Sequence, residues 1–204
     1  ILLKGDIPIL MCEDSADVWA SRELFRLDRK AGAPPDQYSA LGQNWGFPVY
    51  DWDGHGEGVR SFWKERIQKA SRFYDAFRLD HVLGFFRIWT IDCRNITGSL
   101  GIFDPSVGIT RQQLIEAGFD EGRIAWLSQP HIPLHAVQGC PADPPDEIIR
   151  EGLSRIGNED LFKFSASIKG ELDIDELPLS DETRETMLAW YRDRSLYEAK
   201  PDLF

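Results

Sequence analysis

The ten residues Phe77-Arg-Leu-Asp-His-Val-Leu-Gly-Phe-Phe86 decide how this chain is read. Residues two apart in a strand share a face, so Arg78 and Asp80 project one way while Phe77 and Leu79 project the other. A strand of a parallel barrel needs this pattern: one face packs on outer helices, and charge collects where the strand meets its loop. His81 sits at that junction. Working outward, Val59, Phe62, Trp63, Ile67, Ala70 and Phe73 recur at helical spacing and predict an amphipathic helix over 57–73. Ile7 to Met11 reads as a short buried strand. Strand, loop, helix, strand is the repeating unit of a parallel α/β barrel or doubly wound sheet, and the polar strand end favours the barrel. Two strands do not close one.

Asp14 and Ser15 are both candidate caps for a short helix through Trp19. From about Gly32 to Gly58 no period is evident. That stretch holds Tyr38, Trp45, Phe47, Tyr50 and Trp52, too many aromatics for disorder, and it is expected to be an ordered active-site loop. Residues 1–94 are therefore assigned to one unit, carrying loop and strand. The texture changes after it. Thr110-Arg-Gln-Gln113 has the form of a capping box with Gly118 as a stop, Pro144-Pro145 opens a helix through Leu153, and Ser180 starts another running to about Leu196. Residues 95–204 read as a largely helical insertion or subdomain, with no internal repeat.

The 204 residues, 42% apolar with 12 Phe and 7 Trp, supply ample core for a globular α/β protein. A net charge of -11 makes nucleic acid and anionic membranes poor partners and leaves a neutral polymer unaffected. Cys12, Cys93 and Cys140 lie far apart, read as ordinary buried thiols, and suit a reducing compartment. No membrane span or secretory leader is evident, so the cytoplasm is the expected location. The chain opens without Met, is expected to begin inside a core strand, and reads as a fragment of a longer polypeptide.

Retaining cleavage of a glycosidic bond uses two carboxyl groups about 5 to 5.5 Å apart, one attacking the anomeric carbon and one protonating the leaving oxygen. Asp80 fits the attacking role, with Arg78 keeping it ionised and His81 donating to the same sugar. A structural Arg–Asp pair at a strand end is the alternative. Sugars also need aromatic platforms with amides and carboxylates beside them, and Gln43, Trp45, Asp14 and Asp36 offer these. The competing role of Trp45 and Trp52 is to pin the long segment to the core. Metal is not expected: Pro133 interrupts the helical spacing of His131 and His135, and Asp51-Trp-Asp53-Gly54 lacks the rest of a calcium loop. Asn95-Ile-Thr97 is a glycosylation acceptor only in a secreted protein.

Lys4-Gly-Asp-Ile-Pro-Ile9, Asp14-Ser-Ala-Asp-Val-Trp19, Pro34-Pro-Asp36, Gly42-Gln-Asn-Trp-Gly-Phe-Pro48, Tyr50-Asp-Trp52 and Arg78-Leu-Asp-His81 with Gly84-Phe85 together resemble the 4-α-glucanotransferases, the amylomaltases or disproportionating enzymes. Phe86-Arg-Ile-Trp-Thr-Ile91 and the region beyond it look most like the plant-type cytosolic members. The resemblance covers residues 4–91 in order and spacing. It implies a partial (β/α)8 TIM barrel of the α-amylase superfamily type, interrupted by the helical insertion. It implies transfer of α-1,4-linked glucosyl or maltosyl units between maltose, maltooligosaccharides or glycogen- and starch-like glucans, without cofactor. Asp80 would be the nucleophile, Arg78 and His81 would bind the donor, and Asp14, Asp36, Tyr38, Gln43 and Trp45 would line subsites. The family's acid/base Glu, in an apolar run ending Glu-Asp-Leu-Gly, is not found. Glu159-Asp160-Leu161 follows polar residues and is expected to be a decoy. The 204 residues alone are thus expected to be inactive. An amylase-type hydrolase and a non-catalytic glucan-binding protein remain the alternatives.

Overall fold

A computed structural model describes residues 1–198 and 200–204. It is a mixture of helices and strands in two compact units, one of residues 1–93 and 97–106, the other of residues 94–96 and 107–204.

The first unit is built around two strands far apart in the chain. β1 (Lys4–Pro8) pairs in parallel with β4 (Ala76–Asp80), Asp6 opposite Arg78 and Pro8 opposite Asp80. The alternation expected of β4 is present. Phe77 and Leu79 pack on a core of Ile7, Ile9, Met11, Val18, Val59 and Trp63, while Arg78 and Asp80 are exposed on the other face. Burying each large apolar side chain of this kind contributes about 1.5–3 kcal/mol. The strand expected over Ile7 to Met11 is displaced to Lys4–Pro8: Ile9 and Met11 are buried, yet the ladder has ended, and their side chains serve the core.

Between these strands lie α1 (Ala16–Ala20), β2 (Phe25–Ala33), β3 (Gln43–Tyr50) and α2 (Trp52–Ala70). Ser15, not Asp14, caps α1, its hydroxyl accepting from Val18 N. The loop expected over Gly32 to Gly58 is mostly regular structure. β3 runs antiparallel to β2 and the first turn of α2 follows it at once. Two register shifts between β2 and β3, Gly46 at φ 76° and Pro48 blur the strand period that would have revealed them. β5 (Ile88–Asp92) and β6 (Gly101–Asp104) complete an antiparallel sheet in the order β3-β2-β5-β6. Gly32 is required there, because a Cβ would lie 2.0 Å from the Gln43 carbonyl oxygen.

The helix read over 57–73 follows a separate first turn that Asp51 caps by accepting from Gly54 N at 3.1 Å; His55, at φ -132° and ψ 27°, kinks the chain between the two, and the helix stops at Ala70, leaving Phe73 exposed. The Asp51 carboxyl is held below the usual carboxylate range, chiefly by the His55 ring nitrogen 2.8 Å away, with burial opposing and Gly54 N–H assisting. A carboxyl whose folded pKa lies below its unfolded value stabilises above about pH 4 and loses that contribution as the pH falls through the folded value. Asp51→Ala should therefore cost about 1 kcal/mol near neutrality. Urea unfolding should show the gap to the native chain shrinking below about pH 4.

The second unit holds α3 (Arg111–Glu116), α4 (Glu121–Leu127), β7 (Ile132–Pro133), α5 (Leu134–Gln138), α6 (Pro145–Gly152), β8 (Leu153–Arg155), β9 (Leu161–Phe164), α7 (Glu171–Asp175) and α8 (Asp181–Arg192). The Thr110–Gln113 capping box forms, and Gly118 at φ 97° ends the turn after α3. Ser180 caps α8, which stops at Arg192 rather than near Leu196. The helix opened by Pro145 ends one residue short of Leu153, which enters the small sheet β7-β9-β8. Glu171, at the start of α7, is wholly buried: it meets Arg192 Nε at 2.6 Å and accepts from Ile96 N at 2.7 Å.

Candidate active site

Asp80 is the last residue of β4, and the chain turns sharply behind it. His81 takes the left-handed conformation, φ 52° and ψ 41°, before a 3-10 turn at Val82–Phe85. A non-glycine residue there costs about 1–2 kcal/mol, and such strain gathers where function fixes a side chain. Gly84 makes the turn possible. A Cβ at that position would stand 2.7 Å from Ile9 Cδ1 and 2.8 Å from His81 Cδ2, so only glycine lets the imidazole lie where it does.

The imidazole meets Trp45 edge to face, with ring centroids 5.1 Å apart and planes at 87°. Trp45 is itself held by its neighbour two residues back on β3, its indole N–H donating to Gln43 Oε1 at 2.9 Å. Asp80, His81 and Trp45 line one cleft of about 600 Å3, whose remaining wall includes Met11, Cys12 and Phe47. The wall is largely apolar, with a carboxylate and an imidazole at one end. That is the composition of a small-molecule site of matching size.

Arg78 stands beside Asp80 on the exposed face. Its Nη2 donates to Asp80 Oδ1 at 3.2 Å, while Nε and Nη2 grip Asp6 at 3.0 and 2.7 Å. The guanidinium is held more firmly charged by Asp6 first and then by Asp80. A permanent cation thus stands beside the Asp80 carboxylate.

The other residues named from sequence stand differently. Gln43 reaches the cleft through Trp45. Asp14 lies next to the cleft and hydrogen-bonds Cys12, pushing that thiol above its ordinary pKa. Asp36 and Tyr38 do not line the cleft. Asp36 Oδ1 accepts from Tyr38 N and Ser39 N, both at 2.8 Å, and closes a turn, and the Tyr38 ring projects into solvent. Trp52 lines a separate cleft of about 340 Å3 with Arg26, Asp51 and Phe85. Of three thiols expected to be buried, Cys140 is, Cys93 is half-buried and Cys12 is exposed at the cleft.

Sequence reasoning does not single out Asp6, whose place depends on the parallel pairing, nor Met11 and Cys12, of which alternation from Ile9 would suggest Met11; Phe47 enters it only as one aromatic of the expected active-site loop. Glu159 and Asp160 sit exposed in the turn before β9, with Asp160 paired to Arg155 at 3.2 Å. No buried strand presents either. His131 stacks on Trp126 with centroids 3.7 Å apart, and Pro133 is the residue immediately before α5. Among the described residues no group of three or more His, Cys, Asp or Glu is arranged to hold a metal, and no helix is long and apolar enough to cross a membrane.

Comparison with known proteins adds to this geometry. Residues 1–190 match the family model described as 4-alpha-glucanotransferase. The 4-alpha-glucanotransferase DPE2 of Oryza sativa subsp. japonica is 39% identical over 133 residues, 65% of this chain and 14% of that protein. The 4-alpha-glucanotransferase of Chlamydia pneumoniae is 49% identical over 92 residues, 45% of this chain and 18% of its own. That of Streptococcus pneumoniae serotype 4 is 30% identical over 217 residues, 97% of this chain and 43% of its own. A solved amylomaltase from Streptococcus agalactiae in complex with acarbose is 40% identical, covers 52% of this chain and 23% of that one, and has a TM-score of 0.49. The chain thus spans less than half the length of these curated relatives.

Proposed function

We propose that this chain, which belongs to the 4-alpha-glucanotransferase family, carries the nucleophile side of a site that transfers α-1,4-linked glucosyl or maltosyl units between glucans with retention. The observation that carries the reading is the cleft shared by Asp80, His81 and Trp45, with Arg78 on the carboxylate of Asp80. Residues 1–94 are read as part of a (β/α)8 barrel of the α-amylase superfamily type, to which the parallel pair β1–β4 contributes two strands, and residues 95–204 as an insertion or subdomain. Maltose, maltooligosaccharides and glycogen- or starch-like glucans are the substrates, and the cytoplasm is the location.

In the first step an oxygen of Asp80 bonds to the anomeric carbon as the glycosidic C–O bond breaks. The leaving oxygen takes a proton from a second carboxyl about 5 to 5.5 Å away, which the family resemblance assigns to a Glu on a later barrel strand. In the second, that carboxylate takes the proton of an acceptor hydroxyl, whose oxygen displaces Asp80. Arg78 sets a positive charge beside Asp80, and Trp45 offers an apolar surface to a pyranose ring beside the His81 imidazole. Asp14, Asp36, Tyr38 and Gln43 are proposed for subsites, Asp36 and Tyr38 at the outer rim.

The whole enzyme incubated with maltose should release glucose and build maltotriose and longer saccharides, all new linkages α, with no rise in total reducing ends. Glucose alone with rising reducing ends would mark a hydrolase. Saturable glucan binding without any product would mark a binding protein.

A further inference from the structure

We infer that Asp6 is a positioning residue which keeps the fork of Arg78 from closing on both oxygens of Asp80, an inference that rests on Asp80 being the nucleophile. Asp6, Arg78 and Asp80 share one face of the β1–β4 pair, Asp6 directly across from Arg78 and Asp80 two residues along the same strand. The guanidinium divides itself unequally. Asp6 receives two nitrogens, Nε on Oδ1 at 3.0 Å and Nη2 on Oδ2 at 2.7 Å, whereas Asp80 receives only Nη2, on Oδ1 at 3.2 Å.

This inequality matters because the preferred arrangement of an Arg and a carboxylate is two-pronged. Asp80 is the other carboxylate within reach of the same guanidinium, and without Asp6 the fork would turn to it. An Asp80 held by both oxygens has its lone pairs directed at N–H groups. Attack on an anomeric carbon needs one oxygen free of such a bond. With Asp6 in place, Arg78 supplies charge to Asp80 and leaves its second oxygen to the cleft.

Stability does not explain the arrangement. The side chains of Asp6, Arg78 and Asp80 are 60, 57 and 59% accessible, and ion pairs so exposed contribute little to folding. What they fix is direction.

The test is steady-state transfer from maltotriose by the whole enzyme. Asp6→Asn should lower kcat by roughly 10²-fold, the scale of a misplaced reacting group, with KM unchanged. Asp6→Glu, which keeps the carboxylate, should restore most of kcat. Arg78→Lys added to Asp6→Asn should also recover part of it, since an ammonium has no fork to close. A native kcat in Asp6→Asn would overturn the inference, as would a double variant slower than either single one. If Asp6→Asn does not fold, Asp6→Ser is measured in its place with the same expectation. Wild-type transfer that is lost in Asp80→Asn supports the underlying reading separately, so a native kcat in Asp6→Asn would then remove the role of Asp6 alone. Absence of wild-type transfer would remove both.

Discussion

Asp80→Asn is expected to lower transfer by the whole enzyme by on the order of 10⁴-fold or more, the scale seen when a nucleophile acting within a catalytic unit is removed. The amide is nearly isosteric and can still accept from Arg78, so the exposed end of β4 should keep its conformation and the melting temperature should move little. What disappears is the charged oxygen that bonds to the anomeric carbon. Glucan affinity should survive, because the apolar wall of the cleft, with Trp45 and Phe47, is untouched. The decisive comparison is Asp80→Gly supplied with azide. The small anion can occupy the vacated space and attack from the same side, giving a β-glucosyl azide from an α-linked donor that carries a good leaving group. Native transfer by Asp80→Asn, or no azide adduct from Asp80→Gly alongside intact glucan binding, would place the nucleophile elsewhere.

Arg192→Met is expected to destabilise the second unit by about 3–5 kcal/mol, the scale of removing one partner of a buried ion pair. Glu171 has no solvent exposure, and Arg192 retains 17%. The carboxylate joins three segments: α7, on which it sits, the last turn of α8 through Arg192, and the backbone of Ile96, while Asn95 Oδ1 accepts from Glu171 N at 3.3 Å. The double variant Glu171→Leu/Arg192→Met, with no charge left to strand, should be markedly more stable than Arg192→Met alone. Urea unfolding of the four chains reads both quantities. Equal stability of single and double variants would mean that the carboxylate reaches water when Arg192 is removed.

What could be read in advance depended on whether one period or several demands shaped a segment. β4 was legible because Phe77 and Leu79 obey one requirement and Arg78 and Asp80 another. β2 was not, since Arg26, Asp28, Arg29 and Lys30 fill its middle, with Arg29 buried and Arg26 paired to Asp28 at 2.9 Å. β3 was hidden by Gly46 and Pro48. Residue type and family likeness point to Asp80, His81 and Trp45, and these three line one cleft. The turn that Asp36 Oδ1 closes by accepting from Tyr38 N and Ser39 N is not legible in the residue types alone. By residue type Glu171 is one acidic residue among several at the start of a helix. Only folding against Arg192 distinguishes it from Asp173 two residues later.

The pairing of Asp6 with Arg78 joins positions 72 residues apart in the chain. Insertions or deletions between the two strands can be absorbed by turns such as the one at Asp36. One residue gained or lost inside either five-residue strand cannot, because a slip of one in a parallel ladder turns every side chain to the opposite face. Gly5 or Ile7 would then face Arg78, and the carboxylate of Asp6 would be driven toward the core. Any length variation among relatives of this chain should accordingly fall in the turns between the elements and be absent from Lys4–Pro8 and Ala76–Asp80, a pattern that can be checked without any assay.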